Sequence, residues 1–338
     1  MEYLPCKIVL DILSRLPVTS LLQFKLVCKA WHNLAQDPLL VSMHFYHAPE
    51  NDPCLIIHCD HPSRNQLYSL ELSDPENDQR VNKLCVPMFP EFDIKGSCKG
   101  LLCLCDSSTR DSLYAYNPFT RNYVELPKSI DETLYDLSLV FGFGFNQKTK
   151  EYKVVKVVYW RIRTRYPLQS EVQVFTLGKP SWRSLAKYLT ILMLKGHHRF
   201  LSMEDFIGLL GHEGGCLAGV LHQNYGQLEI WVMKEYDVKE SWIKEFNIAI
   251  HVPRGLEHAD RNSAEPFRDS KFYRKSSFVR VLGLLKNGEV LLEYKCRALV
   301  TYDQKDGTFK DLTFPGMPYW FEAVVHEGSF NWIDTLTG

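Results

Sequence analysis

Nothing in the 338 residues approaches the ~18 uninterrupted apolar residues of a membrane span. The opening Met1-Glu2-Tyr3-Leu4-Pro5 lacks the basic segment and apolar stretch of a secretory leader. Asn-x-Ser/Thr does not occur, so there is no acceptor for N-glycosylation. None of the ten Cys stands in a C-x-x-C pair, the usual spacing of a zinc knuckle. A charge excess is missing too: 39 Lys+Arg face 40 Asp+Glu, which leaves no bulk attraction for nucleic acid or an acidic membrane. G-x-S-x-G, H-E-x-x-H and the P-loop are absent, and Gly142-Phe143-Gly144 lacks the third glycine of a dinucleotide fingerprint. These absences predict reduced thiols in a protein of the cytoplasm, the nucleus or both, without cofactor or metal.

What is present divides into two textures. Over residues 4–45, Ile8, Val9, Ile12, Leu13 and Leu16 form one stripe of a 3.6-residue helix, with Pro5 in its first turn and Pro17 at its end. Thr19 or Ser20 is expected to cap a second helix, in which Phe24, Val27, Cys28, Trp31, Leu34 and Ala35 recur at helical spacing until Asp37-Pro38 stops it. So short a segment cannot bury a large core of its own. Its apolar residues must pack on the rest of the chain or receive helices of another protein.

From a polar joint at 47–53 onward the apolar period shifts towards 2. Strands are expected at Cys54–Cys59, Leu67–Leu72, Leu101–Cys105, Leu113–Asn117, Tyr152–Tyr159, Val172–Leu177, Gly219–His222, Leu228–Met233, Val290–Tyr294 and Ala298–Tyr302. Turn residues separate many of them, as in Lys286-Asn287-Gly288 and Lys305-Asp306-Gly307. A unit recurs: strand, polar turn, then an aromatic shortly before an aliphatic, as in LYAYNPFTRNYVEL (113–126) and VQVFTLGKPSWRSL (172–185). Aligning Tyr116, Phe175, Val232 and Tyr302 gives separations of 59, 57 and 70 residues. Such a unit reads as a propeller or an irregular relative of one, in five or six sheets, with a β-sandwich as the alternative.

Two groups of residues carry possible chemistry. Cys54, His58, Cys59 and His61 lie close together, as do Cys98, Cys103 and Cys105, but without paired-knuckle spacing they read as small core residues. Lys156–Tyr166 places Arg161, Arg163 and Arg165 on one side of an extended chain beside Tyr159, Trp160 and Tyr166. This is either solvated hairpin surface or the Arg-and-aromatic composition of a protein-binding hot spot. Arg268, Lys271, Arg274, Lys275 and Arg280 form a looser basic cluster, expected in a loop.

The stretch LPCKIVLDILSRLPVTSLLQFKLVCKAWHNLAQDP resembles the F-box of plant F-box proteins. The match runs through Leu4-Pro5, Ile8, Asp11–Pro17, Ser20–Leu22, Phe24-Lys25, Val27–Lys29, Trp31 and Asp37-Pro38. Further on, GSCKGLLC (96–103), NPFTR (117–121), FGFGF (141–145), YKVV (152–155), SWR (181–183), GCL (215–217), IWVM (230–233) and ESW (240–242) resemble, in order, the F-box-associated domain of the same proteins. The resemblance implies a small all-α F-box module at 1–46, a linker with the first β-hairpins at 47–94, and an all-β, irregular propeller-like (kelch-type) domain at 95–330. It departs at 186–215, where the family's usual strand pair is replaced by a stretch about as long as a linker plus one strand, so a sheet is expected to be shortened or missing.

Carried over by position, Leu4, Pro5, Ile8, Ile12, Leu13, Leu16, Pro17, Leu21, Leu22, Val27 and Trp31 would supply contacts to a Skp-type adaptor and the module's small core. The implied function is that of the substrate receptor of an SCF ubiquitin ligase, reaching the cullin–RING core through the adaptor. A protein substrate is expected on Tyr159, Trp160, Arg161, Arg163, Arg165 and Tyr166. The rivals are an adaptor-bound regulator that delivers no substrate and a propeller-type glycan-binding protein or enzyme.

Overall fold

The computed structural model describes residues 5–47, 54–60, 65–72, 81–86, 91–108, 112–128, 138–146, 148–160, 169–187, 206–210, 216–222, 227–235, 239–249, 251–253, 256 and 279–329. Four short helices come first: α1 (Cys6–Ser14), α2 (Val18–Phe24), α3 (Lys29–Ala35) and α4 (Pro38–His47). Pro5 and Pro17 occupy the N-caps of α1 and α2, where neither a donor nor a side-chain cap is used. The second helix therefore starts at Val18, ahead of the expected Thr19 or Ser20 cap. The single run expected from there to Ala35 is two helices, interrupted at 25–28. Asp37-Pro38 ends one helix and also starts another: the Asp37 carboxylate accepts the Leu39 N–H at 2.8 Å, and Pro38 takes the first helical position.

Apart from a 3-10 turn at Lys239–Ser241, the regular structure of the other described residues is β, in five four-stranded sheets. The first combines β1 (Cys54–Cys59), β2 (Gln66–Glu71) and β3 (Asn82–Leu84) with the C-terminal strand β20 (Glu322–His326), in the order β20-β1-β2-β3. The other four follow the chain. They are β4 (Phe92–Cys98) to β7 (Tyr123–Glu125) through β5 (Leu101–Asp106) and β6 (Leu113–Tyr116); then β8 (Ser138–Asn146), β9 (Glu151–Trp160), β10 (Gln169–Thr176) and β11 (Arg183–Lys187). Next come β12 (Phe206–Leu210), β13 (Cys216–His222), β14 (Leu228–Met233) and β15 (Trp242–Ile248), and last β16 (Val279–Leu284), β17 (Val290–Tyr294), β18 (Ala298–Asp303) and β19 (Thr308–Leu312). Every pairing in these four sheets is antiparallel.

The repeat read from the sequence is this sheet. Tyr116, Phe175, Val232 and Tyr302 all stand on the third strand of their sheets, β6, β10, β14 and β18. Neither sheet flanking the divergent 186–215 stretch has lost a strand: β11 completes the third, and β12 opens the fourth. Residues 188–205 and 211–215 of that stretch lie outside the described residues.

The described chain forms two compact units, Met1–Ile56 with Asn65–Leu189 and Val324–Gly338, and Ile57–Arg64 with Thr190–Ala323. In the first, Leu10, Leu13, Val18, Leu21 and Leu40 of the helices share one core with Cys54, Ile56, Leu67, Phe92, Leu102, Leu104, Tyr116 and Phe119 of the sheets. The helices thus complete their burial against β structure. In the second, Leu228, Ile230, Phe246, Val281, Val290, Leu292, Val300 and Tyr302 form the core.

Each unit also buries polar groups. Glu293, the fourth of the five residues of β17, is fully buried; its two oxygens accept from the Arg280 guanidinium at 3.1 and 3.3 Å, and one also accepts the Ala323 N–H at 2.6 Å. Glu322 lies 3.1 Å from the same guanidinium. Arg280 therefore belongs to a strand and an internal ion network, not to the basic loop cluster expected from sequence; Arg268, Lys271, Arg274 and Lys275 lie outside the described residues.

In the first unit His326 is fully buried, with its Nδ1 2.9 Å from the Ser97 hydroxyl. Burial depresses its pKa to about 3. Burial also lowers that of His44, whose Nε2 donates to the Leu16 carbonyl at 3.0 Å. The unfolded chain binds the His326 proton near pH ~6.5 and the folded chain only near 3, so its contribution is intact above pH ~6.5 and falls as pH drops towards 3, and His44 acts in the same direction. From pH 7.5 to 5.5 His326 alone is expected to cost about 1 kcal/mol in all, the slope steepening towards its limit only well below pH ~6.5. Urea unfolding at pH 7.5 and 5.5 should show the loss, and His326→Asn should flatten it; an unchanged slope in the variant would refute the assignment.

Candidate functional site

The helical module sorts its apolar residues into two sets. Leu10, Leu13, Val18, Leu21, Ala35, Leu40 and Val41 are buried. Ile8 and Ile12, one turn apart on α1, are 47% and 51% exposed. Between α2 and α3, Leu26 is 83% and Val27 61% exposed. Pro5 and Pro17 are exposed, while Leu16, Leu22 and Trp31 are half-buried. Trp31 stacks on Phe24 with ring centroids 4.1 Å apart, closing the interruption between α2 and α3.

Of the residues expected at the docking face, then, Pro5, Ile8, Ile12, Pro17 and Val27 are open to solvent and Leu13 and Leu21 are internal. Leu4 lies outside the described residues. Leu26 was not singled out from sequence, because a two-helix reading placed it on a continuous helix; the break after Phe24 exposes it.

The helices meet one end of the third sheet. Phe45 of α4 packs edge-on against Phe145 at 5.3 Å, and Phe145 pairs across the sheet with Tyr152. Lys150, in the turn between β8 and β9, sets its ammonium 5.4 Å from the Tyr46 ring. From Tyr152, β9 runs eight residues to Trp160, about 26 Å at ~3.3 Å per residue. Tyr159 and Trp160, the start of the expected recognition stretch, thus end β9 away from the helices, and the chain re-enters the sheet at Gln169 opposite Trp160. Arg161, Arg163, Arg165 and Tyr166 lie outside the described residues.

The cysteines and histidines that invited a metal reading are packed. Cys54, Cys59, His58, Cys103 and Cys105 are buried. Burial pushes the thiols of Cys54, Cys98 and Cys103 up to about 12, which keeps them protonated rather than as ligating thiolates. Among the described residues no group of three or more His, Cys, Asp or Glu is placed to hold a metal ion. His61 lies outside them.

Comparison with known proteins bears on the same two regions. Residues 1–46 match an F-box-like family, and 54–202 match the F-box associated beta propeller domain. The Arabidopsis thaliana F-box protein At3g07870 is 41% identical over 99% of this chain and 93% of its own length. The chain belongs to the F-box protein family. More distant F-box relatives, all from Arabidopsis thaliana, include F-box protein CPR1, 26% identical over 96% of this chain and 88% of its own, and F-box/kelch-repeat protein At3g23880, 24% identical over 90% and 89%. The WD40 domain of fission-yeast SCAP overlaps 74% of this chain and 50% of its own at 11% identity with a TM-score of 0.28, and the kinship rests on the sequence relatives instead.

This F-box module should respond oppositely at neighbouring α1 positions. Leu13→Ala, which empties a site 5% exposed, is expected to cost about 2–5 kcal/mol. Ile12→Ala, on the open side, should stay within about 0.5 kcal/mol. Urea titrations of the two variants decide this, and equal losses would contradict the assigned faces.

Proposed function

We propose that this F-box protein is the substrate-receptor subunit of an SCF-type (Skp–cullin–F-box) ubiquitin ligase. The observation that carries the reading is the uncovered apolar set Ile8, Ile12, Leu26 and Val27 on α1 and the α2–α3 break, whose neighbours Leu10, Leu13, Val18 and Leu21 are buried; Leu39 and Tyr46 of α4 are exposed as well. Isolated exposed apolar residues are ordinary, but two pairs on one family-defined docking module fit the helices of a Skp-type adaptor. The adaptor links the chain to the cullin–RING core. The β domain captures a protein substrate, with Tyr159, Trp160, Arg161, Arg163, Arg165 and Tyr166 as its candidate contacts.

Its contribution to ubiquitin transfer is proximity. Holding a substrate lysine near the ubiquitin-carrying enzyme turns a bimolecular encounter into an effectively intramolecular one. No residue of this chain need make or break a bond. The protein works in the cytoplasm, the nucleus or both, where its thiols stay reduced.

Gel filtration of the chain with a purified Skp-type adaptor tests the reading. Co-elution is expected for the unaltered protein. Ile8→Asp combined with Ile12→Asp should weaken binding at least 100-fold, as two charges would enter an apolar contact, while the melting temperature moves little. Failure of the unaltered chain to bind, or full binding by the double variant, would overturn it.

A further inference from the structure

The three residues that follow β20, 327–329, stay on the fold. Residues 327–329 run between the helical module and two β turns, all within the first unit. A Cβ placed on Gly328 would stand 2.5 Å from Val18 Cγ1 of α2 and 3.4 Å from Phe119 Cε2, beyond β6. Val18 is buried and β-branched, so its methyl cannot swing away without leaving its rotamer. Only glycine fits between them.

The two flanking residues are tied as closely. Ser329 is fully buried, and its carbonyl accepts the Asn117 side-chain amide at 2.9 Å. Asn117, also fully buried, uses its oxygen to accept the N–H groups of Phe119 and Thr120 at 2.9 and 3.1 Å, which fixes the turn after β6. Gly100, at φ +85°, sits against Ser329 where any side chain would collide with it. Glu327 pairs with Lys99 at 3.3 Å, and the Lys99 ammonium lies 6.0 Å from the Phe45 ring of α4.

We propose that residues 327–329 are a strap that locks the helical module onto the sheets of its unit, so that α2 and α4 cannot swing against β4–β7. The segment touches α2 directly, reaches α4 through Lys99, and is anchored on the turns after β4 and β6. The strap stands on this geometry alone. Its consequence rests on the receptor reading: a locked module holds captured substrate at a set distance and angle from the adaptor, and releasing the strap leaves adaptor binding intact while scattering that geometry.

Hydrogen exchange by mass spectrometry on the free, full-length protein tests the strap. Gly328→Ala is expected to speed amide exchange in α1–α4 at least tenfold, with β8–β11 within twofold of the unaltered protein. Adding Val18→Ala, which removes the colliding methyls, should bring the helices back towards protection. Should Gly328→Ala fail to fold, Glu327→Ala removes only the Lys99 pair and is expected to speed exchange in α4 two- to threefold.

Three results would each overturn the strap. They are helix exchange unchanged in the folded variant, helices and β8–β11 accelerating together, and no recovery on adding Val18→Ala. Loss of adaptor binding by the unaltered chain would sink the receptor reading and leave the strap standing.

Discussion

Leu10, Leu13, Val18, Leu21 and Leu40 project from four helices too short to close a core among themselves, and they are sealed by Ile56, Leu67, Phe92, Leu102, Leu104, Tyr116 and Phe119 of the sheets. Most else in the first unit depends on that shared interior. It holds α1 with one side inward, which leaves Ile8 and Ile12 outward by default. It also seats α4 at the end of β8 and β9 nearest Tyr152, so that Trp160 ends up a strand's length away. The outward side of α1 and the far end of β9 are therefore joined through packed side chains of one unit.

The sheets supply rigidity by repetition. In the first, second and fifth sheets a central strand is buried nearly throughout, while outer strands are wetter. In β1 and β17 every residue is buried, and in β5 all but the last, whereas β3 and β7 bury none. Continuous apolar runs at the centre resist solvent, and charged, alternating residues at the margin blunt edge-to-edge pairing with other chains. Where a central strand carries a charge, as at Glu293, three hydrogen bonds from Arg280 and Ala323 hold it.

The same division decided what could be read from the sequence. All ten strands expected from apolar runs are the second and third strands of the five sheets, β1 and β2, β5 and β6, β9 and β10, β13 and β14, β17 and β18. Outer strands such as β15 and β19 were missed because their half-wet residues carry no continuous apolar signal. Among the helices, Asp37-Pro38 was legible as a stop but not as a start, since α4 has no one-sided apolar pattern. The F-box stripe marked a set of apolar residues but not which way each faces. Leu13 and Ile12 are adjacent and both apolar, and only the sheet beneath α1 distinguishes them. Leu26 was hidden by the apparent continuity of helix from Thr19 to Ala35. Arg280 was misplaced because its partners, Glu293 and Glu322, lie 13 and 42 residues further along the chain.

The account turns on one interior shared by the F-box helices and the sheets, and native-state hydrogen exchange across a urea series measures that directly. If the core is common, the slowest amides of α1 and α2 open with the same free energy as those of β5 and β6, to within about 0.5 kcal/mol, and with the same urea slope. If the helices instead open at a much lower free energy and a shallower slope while β5 and β6 stay closed, the helical module is an independent appendage and the account is wrong.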